Sequence, residues 1–167
     1  MSIAQSLLPE FDQEMAGTRK ELERVPEGKF DWRPHPKSML LGRLASHLAE
    51  LPSWGQYALE LTELDIAPPG APAPGANNLG TRAEILALFD KCSAATRKAI
   101  ASAADADWMV PWSLKKGGAT IFTLPRIAVV RSMVMNHMIH HRAQLGVYLR
   151  LLDVPVPGLY GPTADER

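Results

Sequence analysis

Five histidines occur in the chain, and three of them fall in the run His137-Met138-Ile139-His140-His141. His137 and His141 are four residues apart, so on an α-helix both imidazoles lie on one face, one turn above the other. Two imidazoles so placed can hold one transition-metal ion, and a third ligand must then come from elsewhere. His47 is the candidate donor. It falls among Leu40, Leu44, Leu51, Trp54, Ala58 and Leu61, whose steps of three and four set it inside an apolar helical face. A ligand set made only of imidazoles brings no negative charge, so the ion keeps its own and attracts hydroxide or a thiolate. Three protein ligands leave open coordination positions, which is the catalytic pattern and not the closed structural one. Histidine pairs at this spacing also arise by chance on helix surfaces, and a single core histidine is usually hydrogen-bonded and inert. Three of them buried without an ion would need three separate sets of partners.

Stepping about 100° per residue from His137 puts His141 near 40°, Gln144 near −20° and Tyr148 near 20°. Gln144 and Tyr148 therefore either orient a substrate or make an ordinary core hydrogen bond. His140 falls near −60°, at the edge of the sector, and is expected behind the ligands, at an entrance, or against another helix. Glu50 is one turn from His47 and is either a hydrogen-bond partner of that ring or a solvated charge. Cys92 reads as a small buried hydrophobe or as a cavity-lining thiol. His35, in Arg33-Pro34-His35-Pro36, is expected to be exposed, and Lys115-Lys116 to be solvated charge at a turn.

Four helices are expected to position these residues. The first covers about 3–24, with Ile3, Leu7, Phe11, Met15 and Leu22 on one side and a start blurred toward Ser6 by Pro9. The second covers about 39–65, capped by Ser38 and kinked at Pro52. The third runs from the capping box Thr81-Arg82-Ala83-Glu84 to about 104. The fourth covers about 124–152, with Pro125 in its first turn. Between the second and third, residues 67–80 carry a proline-rich linker long enough to return along the whole second helix, so the third can run parallel to it. A short hairpin is expected at Gly117-Gly118 within 105–123, and an irregular strap over 154–167. The fold expected is all-α, a single-domain four-helix bundle spanning 1–167.

Composition narrows the function classes. Lys plus Arg and Asp plus Glu both number 18, so the net charge is zero and no basic surplus points to nucleic acid. One cysteine forms no intramolecular disulfide. The N-terminus lacks the basic start and apolar run of a signal peptide, and no stretch is apolar enough for a membrane span. A cytoplasmic protein with no membrane partner is expected. No Gly-rich phosphate loop, Cys-x-x-Cys or Ser-His-Asp cue favours another chemistry.

Trp32-Arg33-Pro34, Ser38-Met39, Leu44-Ala45-Ser46-His47, Asn136-His137-Met138-Ile139-His140-His141-Arg142-Ala143-Gln144 and Pro157-Gly158-Leu159-Tyr160-Gly161-Pro162 together resemble the DinB-like metal-binding family, in order and over nearly the whole chain. The usual glycine of the family's His-His-Arg-Gly-Gln run is Ala143 here. The resemblance implies a four-helix bundle in up-down-down-up order, with the long crossover between the second and third helices. It implies a metal triad of His47, His137 and His141, nickel or zinc as the ion, and a homodimer. It names no reaction. Related branches use low-molecular-weight thiols, so a metal-dependent thiol transferase or hydrolase acting on a small molecule is one expectation. The other is a non-catalytic metal-binding stress-response bundle that acts as a dimer or ligand-binding module.

Overall fold

The computed structural model describes residues 1–70 and 78–166. Helix α1 spans Ile3–Leu22. The Ser2 hydroxyl accepts from the Gln5 backbone N–H, and the Gln5 side chain accepts from that of Ser2. This reciprocal cap starts the helix before Pro9, which is carried inside it. Leu7, Phe11, Met15 and Leu22 are buried as their spacing requires.

The expected second helix divides in two. Helix α2 spans Leu41–Glu50 and α3 spans Ser53–Glu60. Pro52 lacks the N–H that would continue the ladder, and its ring crowds the preceding turn. The groups freed there find a partner on the next helix, α4, which spans Arg82–Ser102. The Thr96 hydroxyl donates to the Pro52 carbonyl and accepts from the Gln56 N–H at 3.0 Å. Gly55 lets the two helices meet this closely, since a Cβ there would lie 2.5 Å from Thr96 Cγ2. The Thr81–Glu84 capping box opens α4 as expected.

The fourth helical segment is composite. A short α5, Arg126–Val129, leads into a π-helical stretch, Val130–Asn136, and then into α6, His137–Leu151. Side-chain contacts fix the directions. Asp12 pairs with Arg97 and Arg19 with Asp90, so α1 and α4 are antiparallel. Glu10 pairs with Arg131 and Glu14 with Arg142, so α1 and α6 run the same way. The Leu79 N–H reaches Ser46 and the Gln56 N–H reaches Thr96, so the α2–α3 segment runs parallel to α4. Residues 71–77 of the expected linker lie outside the described residues.

The all-α expectation is overturned. A three-stranded mixed sheet is joined to the helices, with order β1-β2-β3. Strand β1 (Glu63–Asp65) pairs in parallel with β2 (Pro111–Lys116), and β2 pairs antiparallel with β3 (Ala119–Pro125). The helical pattern expected to reach residue 65 stops at Leu61, whose backbone is already extended. Beyond it Leu64 and Ile66 alternate toward the core, the period of a strand. On β2, Trp112 and Leu114 are buried and Ser113 and Lys115 are less so. The hairpin does turn at Gly117-Gly118, both with positive φ. Asp65 ties β1 to that turn by accepting from both glycine N–H groups at 2.9 and 2.7 Å. Pro125 ends β3 and does not enter a helix.

Glu21 is a conspicuous exception in the core. It is 3 % exposed and its Oε2 has no hydrogen-bond partner among the described residues. Burial pushes its carboxyl up to about 7 from the usual 4.5, and the Arg142 guanidinium pulls only part of the way back. The folded chain therefore holds this proton more tightly than the unfolded chain. Stability should fall as pH rises from about 4.5 through 7 and level off above. Glu21→Gln is expected to raise stability at pH 8 by up to about 3 kcal/mol and to leave it nearly unchanged at pH 4.5, measured by urea unfolding. An equal effect at both pH values would contradict this.

Candidate metal centre

Helices α2 and α6 face each other, and their contact surface carries the three histidines. The ring centroids of His47 and His137 are 5.2 Å apart, those of His47 and His141 4.7 Å, and those of His137 and His141 4.7 Å. One nitrogen from each ring lies within 4.8 Å of the other two. The sequence expectation required two distant segments to converge, and they do. The i, i+4 spacing holds because His137 opens α6, immediately beyond the π-helical stretch. His141 is buried, and His47 and His137 are partly so.

Each ring is held differently on its far side. His47 Nδ1 lies 3.1 Å from Glu50 Oε1, and Arg43 donates to the same oxygen at 2.7 Å. A carboxylate only accepts, so His47 Nδ1 is the donor in this contact and Nε2 is the nitrogen turned toward the other two rings. His141 Nδ1 lies 2.8 Å from Gln144 Oε1, again an acceptor, which leaves His141 Nε2 bare. His137 Nδ1 is buried near the Met133 carbonyl, outside ordinary hydrogen-bond geometry. Its Nε2 is 2.9 Å from His141 Nε2.

Burial and the neighbouring rings disfavour protonation of His137 and His141. Burial, then the proximity of His47, His137 and His140, pushes His141 down to about 4 despite the hydrogen bond that its Nδ1 makes to the Gln144 amide oxygen. Burial and then His47 push His137 down as well. Neutral rings near pH 7 are what a cation needs as ligands. Among the described residues no fourth His, Cys, Asp or Glu joins the cluster.

The remaining candidates are distributed as follows. Tyr148 is spent on structure: its hydroxyl donates to the Met39 carbonyl at 3.2 Å and its ring meets Trp32 edge-on. His140 is exposed, 4.9 Å from His141 between centroids, and its Nε2 is 3.1 Å from Gln144 Nε2. Cys92 lines a cleft of about 200 Å³ with Glu50, Ser53, Tyr57 and Lys91, and burial pushes its thiol up. His35 stays in its loop and accepts from the Lys37 N–H. The sequence reading missed Arg43. Its position, one turn before His47 and two before Glu50, was the available signal.

A family model for the DinB superfamily matches residues 10–145. The chain belongs to the DinB superfamily. Its structure is similar to a DinB-like protein from Bacillus cereus, with a TM-score of 0.65 and 21% identity over 93% of this chain and 97% of that one. It is also similar to a DinB-like protein from Bacillus subtilis, with a TM-score of 0.67 and 16% identity over 97% and 99% of the two chains. At these identities the likeness is one of fold. The sequence matches none of the curated proteins compared with it.

The Arg43–Glu50–His47 chain has a measurable consequence. Glu50→Gln is expected to weaken zinc binding about tenfold, because the charged acceptor behind His47 is lost. Competition with a chromophoric chelator measures this, and unchanged affinity would show that Glu50 does not support the ring.

Proposed function

We propose that His47, His137 and His141 bind one divalent transition-metal ion, zinc or nickel, and that this DinB superfamily member is a metal-dependent enzyme of the thiol-transferase or hydrolase class. One observation carries the reading: three imidazoles from two helices converge, with one nitrogen of each within 4.8 Å of the others, and Glu50 and Gln144 hold the outer Nδ1 of two of them. The Nε2 atoms of His137 and His141 sit 2.9 Å apart, a hydrogen-bond contact that a bound cation would replace with bonds to all three rings. They supply no charge and, with no fourth protein donor among the described residues, leave a coordination position for a small molecule.

A bound ion of this kind supplies a Lewis acid at which water or a thiol gives up its proton near neutral pH. The chain's own residues do the rest. Glu50 and Gln144 fix the two rings, and burial of His141 keeps protons off it. A cleft lined by Glu50, Ser53, Tyr57 and Lys91 lies behind His47, on the side of the ring that Glu50 holds.

A cytoplasmic homodimer is part of the same proposal. No described helix is long and apolar enough to cross a membrane. Val147 and Leu151, one turn apart on α6, are exposed at 58 % and 57 % and offer an apolar strip for a second copy.

Elemental analysis tests the reading. Wild type dialysed against zinc or nickel should retain about one ion per chain, and His137→Ala and His141→Ala should retain far less. Equal metal content in all three proteins would remove these ligands. With metal replenished, transfer of a low-molecular-weight thiol or hydrolysis of a small ester separates enzyme from binder.

A further inference from the structure

We propose that Glu21 is a proton-dependent latch for the C-terminal strap: residues 154–166 lie closed over the seam between α1 and α6 while the Glu21 carboxyl carries a proton, and lift to admit water when it ionises.

The seam holds two carboxyl groups and one guanidinium. Glu14 and Glu21 lie two turns apart on α1, both buried, with buried Thr18 between them. Arg142 comes from α6. Its Nη2 is 2.7 Å from a Glu14 oxygen, and its Nη1 donates to the Glu14 carbonyl and the Thr18 hydroxyl at 3.1 and 3.3 Å. Tyr160 of the strap accepts from Arg142 and donates to Glu14. The hydrogen bonds of the guanidinium are thus committed around Glu14, and Glu21 Oε2 has none among the described residues. A carboxyl so placed is tolerated when neutral and costly when charged.

The strap closes this seam. A Cβ on Gly146 of α6 would lie 3.4 Å from Glu21 Oε1 and 3.8 Å from Val156 Cγ1 of the strap. One on Gly17 of α1 would lie 3.0 Å from Arg142 Nη1 and 3.4 Å from Leu159 Cδ2 of the strap. A glycine on each helix lets the strap settle against the buried polar groups. The strap is folded largely on itself. The Val156 N–H donates to Asp165 at 2.9 Å, the Gly158 N–H to Glu166 at 2.8 Å, and the Thr163 hydroxyl to the Val156 carbonyl at 2.9 Å. Its polar ties to the helices are Tyr160 to Glu14 and Arg142, and Asp165 to Arg150. A unit with strong internal bonds and few anchors can lift without unfolding the helices beneath it.

The charged groups on the strap itself do not supply the switch. Arg150 and the Val156 N–H hold Asp165 down to about 2, and the N–H groups of Gly158 and Thr163 hold Glu166 below its usual range. Burial and the bond to Glu14 push Tyr160 up from 10. These groups keep their charge state between pH 5 and 8. Glu21, pushed up to about 7 by burial against the pull of Arg142, changes its own. A lifted strap returns it toward 4.5, so closure is fully favoured below about pH 4.5, loses ground as pH rises to 7, and loses little more above that.

Amide hydrogen exchange tests this, with protection factors corrected for the intrinsic pH dependence of exchange. From pH 5 to pH 8 the Val156 and Gly158 amides should lose between about ten- and seventyfold in protection, while Phe89 and Ile100 on α4 lose far less. In Glu21→Gln the strap amides should keep the same protection at both pH values. A wild-type strap insensitive to pH would overturn the proposal. So would equal losses on strap and α4, which place the effect in global unfolding, or a pH response that survives in Glu21→Gln. Carbon-13 NMR of the Glu21 carboxyl in wild type gives a check that needs no variant: it should titrate with the same midpoint as the strap protection, and separate midpoints would contradict the latch.

Discussion

Three imidazole rings with centroids no more than 5.2 Å apart are the constraint around which the molecule is arranged. The Nε2 atoms of His137 and His141 are at hydrogen-bond distance, 2.9 Å, and burial disfavours protonation of both rings. The cluster is held in place by the packing of α2 against α6. Leu44 and Leu48 on α2 and Met138 and Leu145 on α6 are fully buried and provide that packing.

The supports differ in strength. Glu50, itself held by Arg43, gives His47 a charged acceptor. Gln144 gives His141 a neutral one. His137 has none and follows a π-helical stretch, where backbone pairing is locally altered. Elsewhere α6 is anchored more conventionally. Arg142, beside His141 in sequence, forms a buried ion pair with Glu14 on α1, and Tyr160 from the C-terminal strap hydrogen-bonds to the same carboxylate. Tyr148 ties the far end of α6 to Met39. These contacts set the rotation of α6 and hence the direction of both its histidines.

The site was more legible in the sequence than the fold class. Histidine spacing is a local property, and an apolar stripe around His47 names the face it occupies, so the convergence of His47, His137 and His141 could be anticipated. The sheet could not be, because β1 is three residues long and directly follows a helix whose pattern masks it. Its stability comes from pairing with residues about fifty positions away and from Asp65 clasping the hairpin turn. The glycine pair of that hairpin was readable, since its positive φ is a local demand. Pro52 announced a break but not its depth. The division into α2 and α3 depends on Thr96, forty-four residues away, taking the carbonyl that Pro52 frees. The π-helical stretch before His137 left no signal in composition, and the contact of Arg43 with Glu50 emerged only once the helix had fixed side-chain directions.

X-ray absorption spectroscopy of the zinc-loaded protein tests the shared-ion geometry most directly. The account predicts three imidazole nitrogens at about 2.0–2.1 Å, with the outer-ring scattering of histidine and one or two further light atoms from solvent. A sulfur shell at about 2.3 Å, or fewer than three imidazoles, would contradict it.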